Sequence, residues 1–196
     1  MRLFVALNLP VEERNRLYRA VTPLRRADLP MRWMEPDALH LTLKFLGEVA
    51  DARVPAIESL LARVAVRHVP FRLELSGVGA FPAVRDPRVV WMGGNAAPEL
   101  LALQRDVERE FVPLGFEPET RPFSPHLTIG RARRWAKAGD FRDFARMAES
   151  VKYEAVVAIE SLDLMRSTLS PAGARYERLA APALGAGNET RPPDPS

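Results

Sequence analysis

The chain contains no cysteine, so disulfides and thiolate metal sites are excluded and nothing in it demands an oxidising compartment. Lysine is scarce: of 28 basic residues, only Lys44, Lys137 and Lys152 are lysines. The arginines that make up the rest suit phosphate recognition, but GC-rich codon usage produces the same bias. Set against 25 acidic residues, the net charge of +3 is too small to argue for nucleic-acid binding by itself. No apolar run is long enough to span a bilayer, and Leu3 to Leu7 is too short for a signal-peptide core, with Glu12, Glu13 and Arg14 close behind. The expectation is a cytoplasmic, monomeric protein with no membrane partner.

What is present is a chain of 196 residues, 47% hydrophobic, enough for one domain or for two small lobes sharing a core. Arg2 to Leu7 reads as a strand, and the stretch from Pro10 as a helix with Leu17, Val21 and Leu24 on one face. A second strand carries His40 to Leu46. Asp51 is a candidate cap for a helix burying Val54, Ile57, Leu61 and Val64. Phe71 to Leu75 alternates as a third strand, and Ser76 to Pro82 reads as a loop.

The same order then starts again. Arg88 to Met92 predicts a strand, Pro98 to Phe111 a helix, His126 to Ile129 a strand, Asp140 to Ala148 a short helix and Tyr153 to Met165 a long strand. His126 follows His40 by 86 residues, and Arg88 follows Arg2 by the same 86. A shared offset implies two equivalent units related by a pseudo-twofold axis. Pattern alone leaves a parallel doubly wound sheet open, although no glycine-rich phosphate loop follows the first strand. Residues 1–183 are expected to form a single two-lobed domain and residues 184–196, rich in Pro, Gly and polar residues, a disordered tail.

Two of the three histidines lie in matching motifs, His40-Leu41-Thr42-Leu43 and His126-Leu127-Thr128-Ile129. Strand alternation points His40 and Thr42 one way and the leucines the other, and His126 and Thr128 repeat the arrangement. One histidine in an apolar strand is usually structural, and Thr is simply a good strand former. Two motifs at a common offset are not explained that way. Brought together by the pseudo-twofold axis, they offer one imidazole as proton donor and one as acceptor. The threonine hydroxyls either bind non-bridging phosphate oxygens or fix the histidines. Arg131 supplies positive charge only if the strand bulges or ends near Gly130, because strict alternation turns it to the core.

His68 has no Thr two residues on and no equivalent in the other unit, so it reads as a surface residue. A zinc site is disfavoured because the histidines lack i, i+4 spacing and no carboxylate adjoins either motif. A Ser-His-Asp triad lacks its nucleophile-elbow signature. No metal and no cofactor are expected.

At these motifs the chain resembles the two-histidine (2H) phosphoesterase family, and within it the bacterial and archaeal RNA 2′,3′-cyclic phosphodiesterases once named 2′-5′ RNA ligases. The likeness extends to Arg2-Leu3-Phe4-Val5-Ala6-Leu7, to Lys44-Phe45-Leu46-Gly47 after the first motif, to Gly79-Ala80-Phe81-Pro82 and to Ser124-Pro125 before the second. It implies an α+β fold of two pseudo-symmetric lobes, each an antiparallel sheet with outer helices, around a central cleft. It also implies metal-independent hydrolysis of RNA or nucleotide 2′,3′-cyclic phosphates to 2′-phosphomonoesters, with weak reverse 2′-5′ ligation. The family's phosphate-binding arginine corresponds to Arg131, with Thr42 and Thr128 as further phosphate-binding residues; because the 3′ oxygen must leave, His40 is assigned as the proton donor and His126 as the proton acceptor, the exchange of roles staying open in a pseudo-symmetric site. The competing reading is a non-catalytic RNA- or nucleotide-binding module.

Overall fold

Runs of alternating or continuous apolar residues build most of the sheet in the computed structural model, which describes residues 1–170 and 173–185. The described residues form nine strands: β1 (Arg2–Asn8), β2 (Met31–Trp33), β3 (His40–Glu48), β4 (Phe71–Ala83), β5 (Asp86–Gly94), β6 (His126–Ala132), β7 (Glu154–Ile159), β8 (Asp163–Ser170) and β9 (Gly173–Ala180). Five α-helices accompany them: α1 (Val11–Ala20), α2 (Thr22–Arg26), α3 (Val54–Ala65), α4 (Pro98–Phe111) and α5 (Phe144–Ser150). The fold is α+β, as expected, and no described helix is long and apolar enough to cross a membrane.

The strands pair antiparallel in the order β7-β4-β5-β6-β3-β1-β8-β9, with β2 added to β6. The pseudo-twofold axis passes between β3 and β6, which touch through the single register pair Leu41↔Leu127. The two lobes are therefore halves of one curled sheet. Each half also takes a strand from the other unit: β4 closes the first unit in sequence yet pairs with β5, and β8 closes the second yet pairs with β1.

Leu3, Val5 and Leu7 of β1 face the helices, as do Leu41 and Leu43 of β3 and Leu127 and Ile129 of β6, and they join Ile57, Leu61, Leu100 and Leu103 in one buried cluster. Each fully buried leucine contributes about 2 kcal/mol, enough to hold the sheet's helix-bearing face closed. The opposite face is left for the cleft.

Several local expectations change. Ser76 to Pro82 continues β4 instead of looping, because β5 offers it a partner across a bulge between Ser76 and Val78. Gly79 is required there: a Cβ would stand 2.2 Å from Cη2 of Trp91 on β5. The expected long strand from Tyr153 to Met165 is two strands at different places in the sheet, β7 beside β4 and β8 beside β1. Between them, Leu162 N–H donates to the Pro182 carbonyl at 3.1 Å and Leu184 N–H to the Glu160 carbonyl at 2.8 Å. Leu184 is thus buried and the chain is still packed where the tail was expected to begin; residues 186–196 lie outside the described residues.

The first expected helix breaks at Val21 into α1 and α2, with Pro23 in the first turn of α2. The stretch Asp140 to Ala148 likewise divides, into a 3-10 turn over Ala138–Phe141 and α5. Asp51 makes no cap; it lies in a 3-10 turn before α3, 4.0 Å from the amino terminus. β2 and β9 were not anticipated, β2 being only three residues long.

Candidate active site

The sequence alternation of both motifs survives in three dimensions. Leu41 and Leu127 are wholly buried on the helix-bearing face, whereas His40, Thr42, His126 and Thr128 are each partly exposed on the other. Extending the Leu41↔Leu127 pairing by one residue either way sets His40 against Thr128 and Thr42 against His126. Opposed residues in antiparallel strands lie about 5 Å apart, so two imidazoles and two hydroxyls share one patch at the pseudo-twofold axis.

Immediately after each motif the strand bulges. On β3, Ala6 pairs with Thr42 and Val5 with Lys44, which leaves Leu43 as the extra residue. On β6, Trp91 pairs with Thr128 and Val90 with Gly130, which leaves Ile129 extra. The bulges are themselves 86 residues apart. Each reverses the alternation beyond it: Arg131 is opposite Val89, two residues from Trp91, and so lies on the same face as Thr128. The condition that the sequence set for Arg131 is met.

His40 sits in an aromatic nest on the first half. Its ring is 4.8 Å from Phe4 of β1 and 4.9 Å, edge-on, from Tyr176 of β9, and its Nδ1 is buried without a hydrogen-bond partner. Burial pushes the imidazole down to about 4, with smaller contributions from the positive charges of Arg131 and Arg14. The unliganded His40 is therefore neutral at pH 7. That Arg131 acts on His40 electrostatically also ties the two halves of the site together.

His126 has a different setting. Its Nδ1 lies 2.7 Å from the Ser124 carbonyl oxygen; a carbonyl only accepts, so Nδ1 carries the proton and Nε2 is the acceptor in the neutral ring. Phe81 meets the ring edge-on at 5.1 Å. Neither the Thr42 nor the Thr128 hydroxyl bonds any described residue, so both are available to a ligand. His68 is not the surface residue expected from sequence: its side chain is largely buried and its Nε2 is 2.9 Å from Asp106.

Two site features escaped the sequence reading. Phe45 is the pseudo-symmetry mate of Arg131; the bulge at Leu43 turns it onto the cleft face, where the residue is 65% exposed. Lys44 is turned the other way and buried, with Nζ donating to Glu108 Oε2 at 2.5 Å and to the Glu117 carbonyl at 2.7 Å. Glu108 Oε2 also accepts from Glu119 N–H at 3.2 Å. This pair ties the underside of the first motif to the loop that leads into the second. A lone lysine in an apolar strand of a lysine-poor chain was the available signal.

The profile of the 2′-5′ RNA ligase superfamily matches residues 13–170. The chain is 34% identical over 176 residues to the RNA 2′,3′-cyclic phosphodiesterase of Methanothermobacter thermautotrophicus, covering 90% of this chain and 95% of that protein. It is 36% identical to the Thermus thermophilus protein of the same name, covering 90% of this chain and 86% of the other. Among solved structures, TT0787 of Thermus thermophilus matches with a TM-score of 0.79 at 31% identity, over 95% of this chain and all of that one. E. coli LigT in complex with 3′-AMP matches with a TM-score of 0.72 at 28% identity, over 93% and 97% of the two chains.

Proposed function

Starting from the fact that the chain belongs to the 2′-5′ RNA ligase superfamily, we propose that it hydrolyses RNA or nucleotide 2′,3′-cyclic phosphates to 2′-phosphomonoesters without a metal. The observation that carries the proposal is the pair of His-x-Thr motifs on one face of adjoining strands, with Arg131 turned onto that face by a bulge. The relatives named as RNA 2′,3′-cyclic phosphodiesterases support the substrate class.

In this reading His126 is the base. The hydrogen bond of its Nδ1–H to Ser124 leaves the Nε2 lone pair free to take a proton from water. The water oxygen attacks phosphorus, the P–O3′ bond breaks, and His40, which enters this step as the protonated imidazolium, gives that proton to O3′ and is left neutral. The products are a 2′-phosphomonoester and a free 3′-hydroxyl. A proton on His40 is held weakly, which makes His40 a strong donor to the leaving oxygen. The anionic phosphate offsets the charge of Arg131, one cause of His40's low affinity for that proton. Arg131 pairs with the non-bridging oxygens, and the two threonine hydroxyls donate to them; one such donor is worth about 3 kcal/mol at the transition state. Phe45 supplies an exposed ring on which the terminal base stacks. Reversal of the same steps, with a 5′-hydroxyl in the place of water, gives weak 2′-5′ joining.

Incubation with a 2′,3′-cyclic-phosphate oligoribonucleotide in EDTA tests the proposal. Conversion to the 2′-monoester is expected. Absence of product, or activity that persists after both His40→Ala and His126→Ala, overturns it in favour of a binding module.

A further inference from the structure

The pseudo-twofold axis offers a control built into the molecule, because each residue of the second motif's surroundings has a mate in the first. Past the cleft, β6 runs on through Arg131 to its last residue, Ala132, and the N–H of the next residue, Arg133, donates to the Pro30 carbonyl just before β2 at 2.8 Å. Arg133, like Arg131, is exposed. The chain then turns at Arg134 and Trp135. Ala136 N–H donates to the Arg133 carbonyl at 3.0 Å, and Arg88 Nη1 donates to the Ala136 carbonyl at 2.9 Å. The turn is pinned on both sides, yet Trp135 is 67% exposed. No carboxylate of the described residues forms an ion pair with Arg131, Arg133 or Arg134.

The matching segment after the first motif is the opposite in charge and packing. Offset by 86 residues, Arg134 corresponds to Glu48, Trp135 to Val49 and Lys137 to Asp51. Glu48 and Asp51 are exposed acids and Val49 is buried. One exit from the cleft is thus acidic with its apolar residue tucked away, and the other is basic with an indole held outward. A basic edge that continues from the phosphate-facing Arg131 favours an anion along it.

We infer that the Arg133-Arg134-Trp135 turn is the exit track for the RNA strand: the nucleotide 5′ to the cyclic end stacks on Trp135, and its phosphate lies against Arg133 and Arg134. Single-stranded nucleic acid is bound by this combination of aromatic platform and positive groove. The inference rests on the cyclic-phosphodiesterase reading and adds that the enzyme is built for oligonucleotide ends in preference to cyclic mononucleotides.

The test compares kcat/KM for a 2′,3′-cyclic mononucleotide and for a 2′,3′-cyclic-ended decaribonucleotide at low and moderate salt. Wild type is expected to prefer the decamer by about tenfold or more, the magnitude of one stacked base, with the preference shrinking as salt rises. Trp135→Ala and Arg134→Glu are expected to remove about tenfold from the decamer and to leave the mononucleotide within about twofold. Equal decamer-to-mononucleotide ratios in wild type and both variants overturn the track while leaving the phosphodiesterase reading intact. If wild type turns over neither substrate, that reading falls instead, and fluorescence anisotropy of a labelled 2′-phosphate-ended decamer decides the track: weaker binding by both variants upholds it. Unchanged binding rejects it and assigns the turn to a protein partner.

Discussion

The two bulges, Thr42-Leu43-Lys44-Phe45 and Thr128-Ile129-Gly130-Arg131, have the same geometry and contrary contents. In the first, the residue after the bulge is Lys44, locked beneath the sheet by Glu108, and the next is an exposed phenylalanine. In the second it is Gly130, where a Cβ would stand 2.7 Å from Cε3 of Trp33, and the next is an exposed arginine. The histidines differ in the same manner, one packed among aromatic rings and unpaired at Nδ1, the other held by a backbone carbonyl. Symmetry of the backbone therefore supplies the meeting place, and in the proposed reaction asymmetry of the side chains supplies donor, acceptor, charge and stacking surface.

The largest expected effect breaks the equivalence of the histidines. His40→Ala and His126→Ala should each lower kcat about a thousandfold or more. A cyclic substrate with sulfur at the 3′ bridging position needs no proton to leave, so it should restore much of the rate to His40→Ala and little to His126→Ala. Rescue of His126→Ala instead would exchange the two roles.

Next comes Arg131. Its replacement by Ala should cost about a hundredfold or more in kcat/KM, with Lys a poor substitute for a forked donor. Phe45→Ala should cost about tenfold. If the halves were interchangeable, the double exchange Phe45→Arg with Arg131→Phe would recover activity; it should do no better than Arg131→Phe, and single-turnover rates check this.

Stability should separate the halves more gently. Lys44→Ala strands the Glu108 carboxylate, a loss of about 3 kcal/mol and about 10 °C in Tm. Gly130→Ala crowds Trp33 and should cost about 1 to 3 kcal/mol. Thermal melts of the two variants measure both.

The smallest effect is a shift in pH dependence. The acidic limb of kcat/KM should fall near pH 4, the value of unliganded His40, whichever way its proton moves in the reaction. Tyr176→Ala admits water to the His40 ring, relieves the burial that lowers its pKa, and should move that limb to higher pH. Phe81→Ala, on the side of His126, should leave the limb where it is.

Much of this site was written in the chain itself. Alternation within each motif, the offset of 86 residues and the residue types were sufficient to pick out His40, His126, Thr42 and Thr128 as one group, because side-chain direction in a strand is a local, period-two property. Even the need for the strand to bulge or end before Arg131 could be deduced, and the structure takes the bulge. Local pattern does not choose partners. That β4 and β8 cross to opposite halves, that residues 160–162 break one expected strand into two, and that β9 arrives to bury His40 beneath Tyr176 depend on contacts between residues far apart in sequence. Those contacts decide what the motifs could not: matching His-x-Thr strands become an imidazole packed among aromatic rings and a tethered one, since burial and hydrogen-bond partners belong to the packed structure and not to the strand that carries them.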